Sequence, residues 1–233
     1  MSGARVALRR GADLVASPWK NGGGVTHEIA VAPAAAEGVS LDAFAWRVSV
    51  ADVAQPGPFS RFDGVDRTLV LLEGAGMVLD EAGPGATTHT HTLAKPLDIA
   101  RFAGETSIDA RLVDGPTRDF NLMVRRDAAR GTLDVWRAPM VRDIAARTVL
   151  LYCAQGAFDV RLDHGETAIS LGAGDTLRID ATQMQSVNVQ TQGEGALLAV
   201  ALDTGLDTIR TPIRTRRDGE SNGTASSNAA MTS

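Results

Sequence analysis

Apolar residues along most of this chain recur at every second position, the spacing of half-buried β-strands rather than of helices. In AFAWRVSVA, Phe44, Trp46, Val48 and Val50 fall on one face and leave Arg47 and Ser49 on the other. SIDARLV (Ile108, Ala110, Leu112), DFNLMV (Phe120, Leu122, Val124) and AFDVRLD (Phe158, Val160, Leu162) alternate in the same way. Turn signals such as QPGP, DGVD, EGAG, EAGPGA, DGPTRD and GAGD separate these runs at intervals suited to an antiparallel sandwich or barrel. Only VRRDAARGT and PMVRDIAAR leave room for short helical turns. The chain is therefore expected to be all-β.

It also repeats itself loosely. LVLLEGAGMVLDEAG followed by LDIARFAGETSIDARLV parallels VLLYCAQGAFDVRLDHG followed by AISLGAGDTLRIDA, each reading strand, small turn, strand, loop, strand, glycine turn, strand. A duplicated β unit is the expectation, with an N-terminal domain over residues 1–130 and a C-terminal one over 131–206. From about Thr211 the periodicity is lost and the composition turns polar, so 207–233 is expected to be a disordered tail.

Composition removes several function classes. Hydrophobic residues make up 44% of the 233, enough for a buried core. A net charge of −5 supplies no basic field for nucleic acid or anionic lipid. No stretch of about 18 uncharged apolar residues exists to cross a bilayer, and the N-terminus lacks an apolar segment of secretory length. Cys153 is the sole cysteine and sits inside the apolar run VLLYCAQG, so it reads as a buried thiol in a reduced, cytoplasmic setting.

The segment SPWKNGGGVTHEIAV concentrates Trp19, Lys20 and Asn21 before three glycines, and Lys20 is one of only two lysines in the chain. Glycines let a backbone approach a ligand, Trp19 offers an apolar wall, and Lys20 and Asn21 offer donors, so this segment reads as the lip of a pocket. The bland alternative is a flexible connection with a buried Trp anchor and a solvated lysine. Five stretches in order, PWKNGGGVTHEIA, AWRVSVADV, GPFSRFDGVDRTLVLLEGAGM, FAGETSIDARLVDG and DFNLMVRR, resemble the HutD/Ves family. The match spans residues 5 to 205, and the pattern of each half is similar to the cupin jelly-roll barrel. The resemblance implies a bicupin, two cupin barrels in one chain, and a link to histidine catabolism, whose intermediates include urocanate and formylglutamate. His27 departs from the family, whose members usually carry arginine there.

Metal-binding cupins use a His-x-His pair and a Glu around the first barrel strands, then a histidine three residues after a turn glycine. Here PGPFSRFDGVDRTLV contains no histidine, and Ser107 and Leu177 stand three residues after Gly104 and Gly174. Neither residue replaces an imidazole, so no metal and no other cofactor is expected. His89 and His91 in TTHTHTLAKP are read as surface or structural residues of a loop with no carboxylate nearby in sequence, and His164 as a turn residue. No nucleophile elbow and no phosphate loop leading into a helix is present. An acid or base could be drawn from Glu28, Asp63 or Asp66 with Lys20.

On the polar faces, Arg47 is suited to grip a carboxylate bidentately and keeps its charge when desolvated. Ser49, Arg67 and Asn121 extend the set, and GPFSRF supplies Phe59 as apolar cover. The bland alternatives are a snorkelling Arg47, an Arg67 paired with Asp63 or Asp66, and an Asn121 that satisfies a strand edge. If Arg47 points inward, it requires a carboxylate residue or an anionic ligand beside it. The expected ligand-binding set is Trp19, Lys20, Asn21, Arg47, Ser49, Phe59, Arg67 and Asn121. The expected function is metal-free binding of a small carboxylate of histidine breakdown, with regulation of that pathway. The alternative is a metal-independent hydrolase or isomerase on the same compounds, with Lys20 or Glu28 as acid or base. A homodimer is left open.

Overall fold

A computed structural model describes residues 4–33, 44–82, 88–137, 139–163 and 165–204 of the chain. His164 and the expected tail lie outside the described residues. The first strands are β1 (Arg5–Arg9), β2 (Ala16–Pro18), β3 (Gly24–Pro33), β4 (Phe44–Val53) and β5 (Gly57–Pro58). They are followed by β6 (Val65–Glu73), β7 (Met77–Ala82), β8 (Thr88–Leu93), β9 (Ile99–Ala103) and β10 (Ile108–Leu112). The chain continues with β11 (Thr117–Arg125), β12 (Ala129–Arg137), β13 (Met140–Leu162), β14 (Ile169–Gly172) and β15 (Thr176–Thr204). Among the described residues the helical content is one turn of 3-10 helix, Gly11–Asp13. The two segments expected to hold helical turns differ from that expectation. VRRDAARGT makes a turn between β11 and β12, and PMVRDIAAR opens the long strand β13.

The strands form three sheets. One runs β2-β3-β4-β11-β6-β9, a second β5-β10-β7-β8, and a third β1-β15-β13-β14 with β12 also paired to β15. The first strand is thus lent to the sheet built by the strands from β12 onward, pairing Arg5 with Asp180 and Arg9 with Thr176. In that third sheet, β13 between Thr148 and Tyr152 is flanked by β15 on both sides, through Asp180 to Thr176 on one and Leu202 to Leu198 on the other. Such a sheet curls on itself. Gly156 and Gly195 face each other at the bend, both at positive φ (77° and 120°), a conformation that costs a side chain dearly.

The alternation read from sequence decides which face each strand buries. Trp46, Val48, Val50, Phe120, Leu122 and Val124 point from the six-stranded sheet toward Leu150, Tyr152, Leu198, Val200 and Leu202 of the third sheet. Trp46 is 1% exposed, with the Arg178 guanidinium 5.5 Å from its ring centre. The opposite face of the same sheet packs against the four-stranded sheet through Leu69, Leu71, Met77, Leu79, Leu93 and Ile108. Each such side chain, once buried, contributes about 1.5–3 kcal/mol. That second interface is mostly apolar but also takes in the buried polar side chains Ser49, Arg67, Asp119 and Asn121.

Candidate functional site

Period two puts Arg47 and Ser49 of β4, Arg67 of β6, and Asp119 and Asn121 of β11 on the face that looks toward the four-stranded sheet. Cross-strand register assembles them: Asn121 pairs with Ser49 on one side and Leu69 on the other, and Met123 pairs with Arg47 and with Arg67. Arg67 and Asn121 are therefore diagonal neighbours, roughly 7–8 Å apart at their Cα atoms. Ser49, Arg67, Asp119 and Asn121 are all buried.

Arg67 is the centre of this group. Its guanidinium lies 5.2, 5.8 and 5.1 Å from the ring centres of Phe59, Phe62 and Phe102, and its Nη1 donates to the Ser60 carbonyl at 3.3 Å. Its Nε is buried without a hydrogen-bond partner. Burial lowers the Arg67 pKa to about 10, more than the charge of Asp119 restores. A guanidinium nevertheless holds its proton, so a cation is kept here at a desolvation cost that three aromatic faces offset in part.

Asp119 carries the complementary strain. Burial raises its carboxyl to about 7, against the pull of Arg67 and with some repulsion from Asp52. Its Oδ1 and the Asn121 Oδ1 are buried with no donor facing them. One donor without an acceptor and two acceptors without donors thus share one interface, and such groups cost roughly 1–3 kcal/mol each when left unmade.

The other expected residues fall in two places. Arg47 is part-exposed and its Nε donates to Glu28 at 3.0 Å, so the carboxylate that an inward arginine requires is supplied by the chain itself. Trp19, Lys20 and Asn21 lie in the turn between β2 and β3, closed by the Gly22 N–H donating to the Trp19 carbonyl at 3.0 Å. Trp19 packs into the apolar interface, and its indole N–H donates to Thr26 at 2.8 Å. The Asn21 Oδ1 accepts from the Gly23 N–H at 3.0 Å, and Lys20 is exposed. The glycines serve that turn: Gly22 has φ +71°, and a Cβ on Gly24 would lie 2.6 Å from the Asp52 carbonyl and 3.1 Å from the Trp19 ring.

Arg67 does not pair with its neighbours Asp63 or Asp66; Asp66 is held by Arg126 at 2.7 Å on the face of β6 turned toward the third sheet. Asp119 and Phe102 escaped the sequence reading, although Asp119 shares the parity of Asn121 and so its face was legible. His89 and His91 require a correction as well. They lie in strand β8, not in a loop, and the register sets His89 opposite Glu81. The carboxylate that seemed remote in sequence is adjacent in space.

Two clefts open elsewhere, between the sheets: one of about 260 Å³ near Asp66, Arg126 and Arg130, and one of about 400 Å³ near Arg5, Arg9, Arg178 and Asp180. Each already holds an ion pair within the chain, Arg126 with Asp66 at 2.7 Å in the first and Arg178 with Asp180 at 2.8 Å in the second. The unmade hydrogen bonds of Arg67, Asp119 and Asn121 are the stronger pointer to a ligand. Cys153 offers no nucleophile: it is fully buried and its thiol is pushed up to about 11. Among the described residues no helix is long and apolar enough to cross a membrane.

Comparisons with known proteins agree with this architecture. The chain resembles the oxalate decarboxylase of Lactobacillus farciminis in fold alone, with a TM-score of 0.54 at 8% identity over 84% of this chain and 85% of that one. The architecture is thus nearly all-β and cupin-like. The structure of HutD from Pseudomonas fluorescens SBW25 (formate condition) matches with a TM-score of 0.70 and 31% identity, covering 86% of this chain and all of that one. An uncharacterized 21.2 kDa protein in the hutC 3′ region of Pseudomonas putida is 33% identical over 195 residues, 84% of this chain and 97% of its own. With the HutD family model matching residues 11–199 as well, the chain belongs to the HutD family, linked by its relatives to the histidine-utilisation region.

Proposed function

We propose that this protein binds a small carboxylate of histidine breakdown at the Arg67 end of the N-terminal sheet pair and thereby regulates histidine utilisation. The observation that carries the reading is the buried trio of unmade hydrogen bonds. Arg67 Nε seeks an acceptor, and the Oδ1 atoms of Asp119 and Asn121 seek donors. A ligand with both a carboxylate and an N–H meets Arg67 Nε and one of the two acceptors, and formylglutamate and urocanate each carry that pair of groups. Phe59 and Phe102 would cover its apolar part, Ser49 would add a hydroxyl, and Arg47 would remain with Glu28 at the rim. Trp19, Lys20 and Asn21 enter as the turn that supports the β3 edge. The two units are proposed to be cupin barrels divided near residue 130, the first strand being lent to the second.

Calorimetric titration with formylglutamate, urocanate, histidine and glutamate tests this. Saturable binding of at least one compound is expected, with loss of roughly 2–3 kcal/mol in Arg67→Met, the range for a hydrogen-bonded charge deprived of its partner. No heat from any of the four, with a folded protein, contradicts it.

One observation favours a second reading, a metal-independent hydrolase or isomerase on the same compounds. A carboxyl that titrates near 7 beside a cation has the poise of a general acid or base. In that case mass spectrometry after incubation with the same panel would show a product, and Asp119→Asn would abolish it.

A further inference from the structure

We infer that Glu81, His89 and His91 form a binding site for one divalent transition-metal ion at the edge of the four-stranded sheet. Strands β7 and β8 are antiparallel, with Glu81 opposite His89 and Leu79 opposite His91, so the period of two sets all three candidate ligands on one face. Their donor atoms converge. His91 Nε2 lies 3.0 Å from Glu81 Oε2 and 3.2 Å from His89 Nδ1, and His89 Nδ1 lies 3.7 Å from the same carboxylate oxygen. Ligands bonded to zinc at about 2.0–2.1 Å in a tetrahedron stand about 3.3 Å apart, which is the middle of these three separations. An ion therefore fits without movement of either strand.

Hydrogen bonding alone serves the trio badly. His91 Nε2 carries either one proton or one lone pair, so it cannot donate to Glu81 and to His89 together. A cation at the common centre is approached by three lone pairs and satisfies all three atoms. The two imidazoles meet edge to face at 73° with centres 4.4 Å apart, presenting nitrogens to each other rather than stacking. His91 and Glu81 are largely shielded, and the His91 ring packs 6.1 Å from the centre of Phe102. Those two ligands are held in advance, while the exposed His89 closes the site.

The ligand types select the ion. Two imidazoles and one carboxylate suit zinc, cobalt, nickel or copper in the divalent state, whereas magnesium and calcium require an all-oxygen shell. Three protein ligands leave a position for water or an anion. Phe102, the wall behind His91, is also one of the rings around Arg67, so the proposed ion and the buried guanidinium are neighbours across one aromatic side chain.

The test is titration of untagged, chelator-treated full-length protein with cobalt(II) and, separately, zinc(II), with no metabolite present. Its failure is thereby distinguishable from failure of the carboxylate reading. One equivalent of cobalt per chain is expected, with the visible absorption of a four- or five-coordinate site. His89→Ala, at an exposed position that folding tolerates, and His91→Ala are each expected to weaken binding at least about tenfold, a loss already typical of disturbing an outer-shell partner. Asp80→Asn, on the other face of β7, and His27→Ala, where the imidazole is held by Asp52 at 3.0 Å, are expected to bind as wild type does. Absence of stoichiometric cobalt binding overturns the inference, as does binding that survives in His89→Ala and His91→Ala alike.

Discussion

Replacement of Asp119 by Asn isolates the electrostatic cost of the buried cluster. The carboxyl titrates near 3.8 in an unfolded chain and near 7 in the folded one, because burial disfavours its charge more than Arg67 favours it. Below pH 3.8 both states hold the proton and the group adds no pH dependence. Between 3.8 and 7 the unfolded chain releases the proton while the folded chain keeps it, so stability falls as pH rises, by about 1.4 kcal/mol per unit. The total from this one group is about 4 kcal/mol, exhausted once the pH passes 7. Asparagine mimics the neutral acid in shape and does not titrate, so the variant is expected to match wild type near pH 4 and to exceed it by about 4 kcal/mol at pH 8. Urea denaturation of both proteins from pH 4 to 8.5 reads the difference directly, provided the slopes with denaturant stay equal. Parallel stability curves would refute the reasoning, since they would mean that Asp119 is ionised in the folded protein throughout or is not buried.

Other consequences concern packing and reactivity. Trp46→Ala empties the interface between the six-stranded and third sheets and is expected to cost about 3–5 kcal/mol by chemical denaturation. Gly24→Ala pushes a methyl group toward the Asp52 carbonyl and the Trp19 ring, and a loss of about 1–3 kcal/mol is expected in the same assay. Native Cys153, with a thiol near 11 behind a closed core, is expected to resist iodoacetamide at pH 8, where roughly one thiol in a thousand is ionised. Full labelling is expected once urea is added, and rapid labelling of the folded chain would contradict the burial of that strand.

Much of the fold was legible because one physical signal carries it. Alternation such as Trp46-Val48-Val50 fixes which face is apolar, and the structure buries that face against the third sheet, whereas Phe44, beyond a register shift between β3 and β4, packs instead with Val65 and Met123. PMVRDIAAR misled because so short a stretch satisfies either period, and its strand form is decided by pairing with residues 185–191 of β15, about forty to fifty positions away. The site was legible by parity but not by depth. Arg47, Ser49, Arg67 and Asn121 share a face, yet nothing local distinguishes Arg47, which meets Glu28, from Arg67, which is enclosed by three phenylalanines. Burial of a strand residue is set by the sheet that covers it. The glycines after Asn21 read as room for a ligand because conformational freedom looks the same whether a turn or a pocket uses it. The meeting of Glu81 with His89 is a property of register, fixed by a hairpin whose pairing no spacing rule states.

A crystal structure of the protein soaked with formylglutamate and with urocanate puts the central claim to its most direct test. Density for a carboxylate with an oxygen about 3 Å from Arg67 Nε, and an N–H turned toward Asn121 or Asp119, is the predicted result. A ligand lodged instead in the cleft beside Arg5 and Arg178, with the Arg67 cluster unchanged, would contradict it.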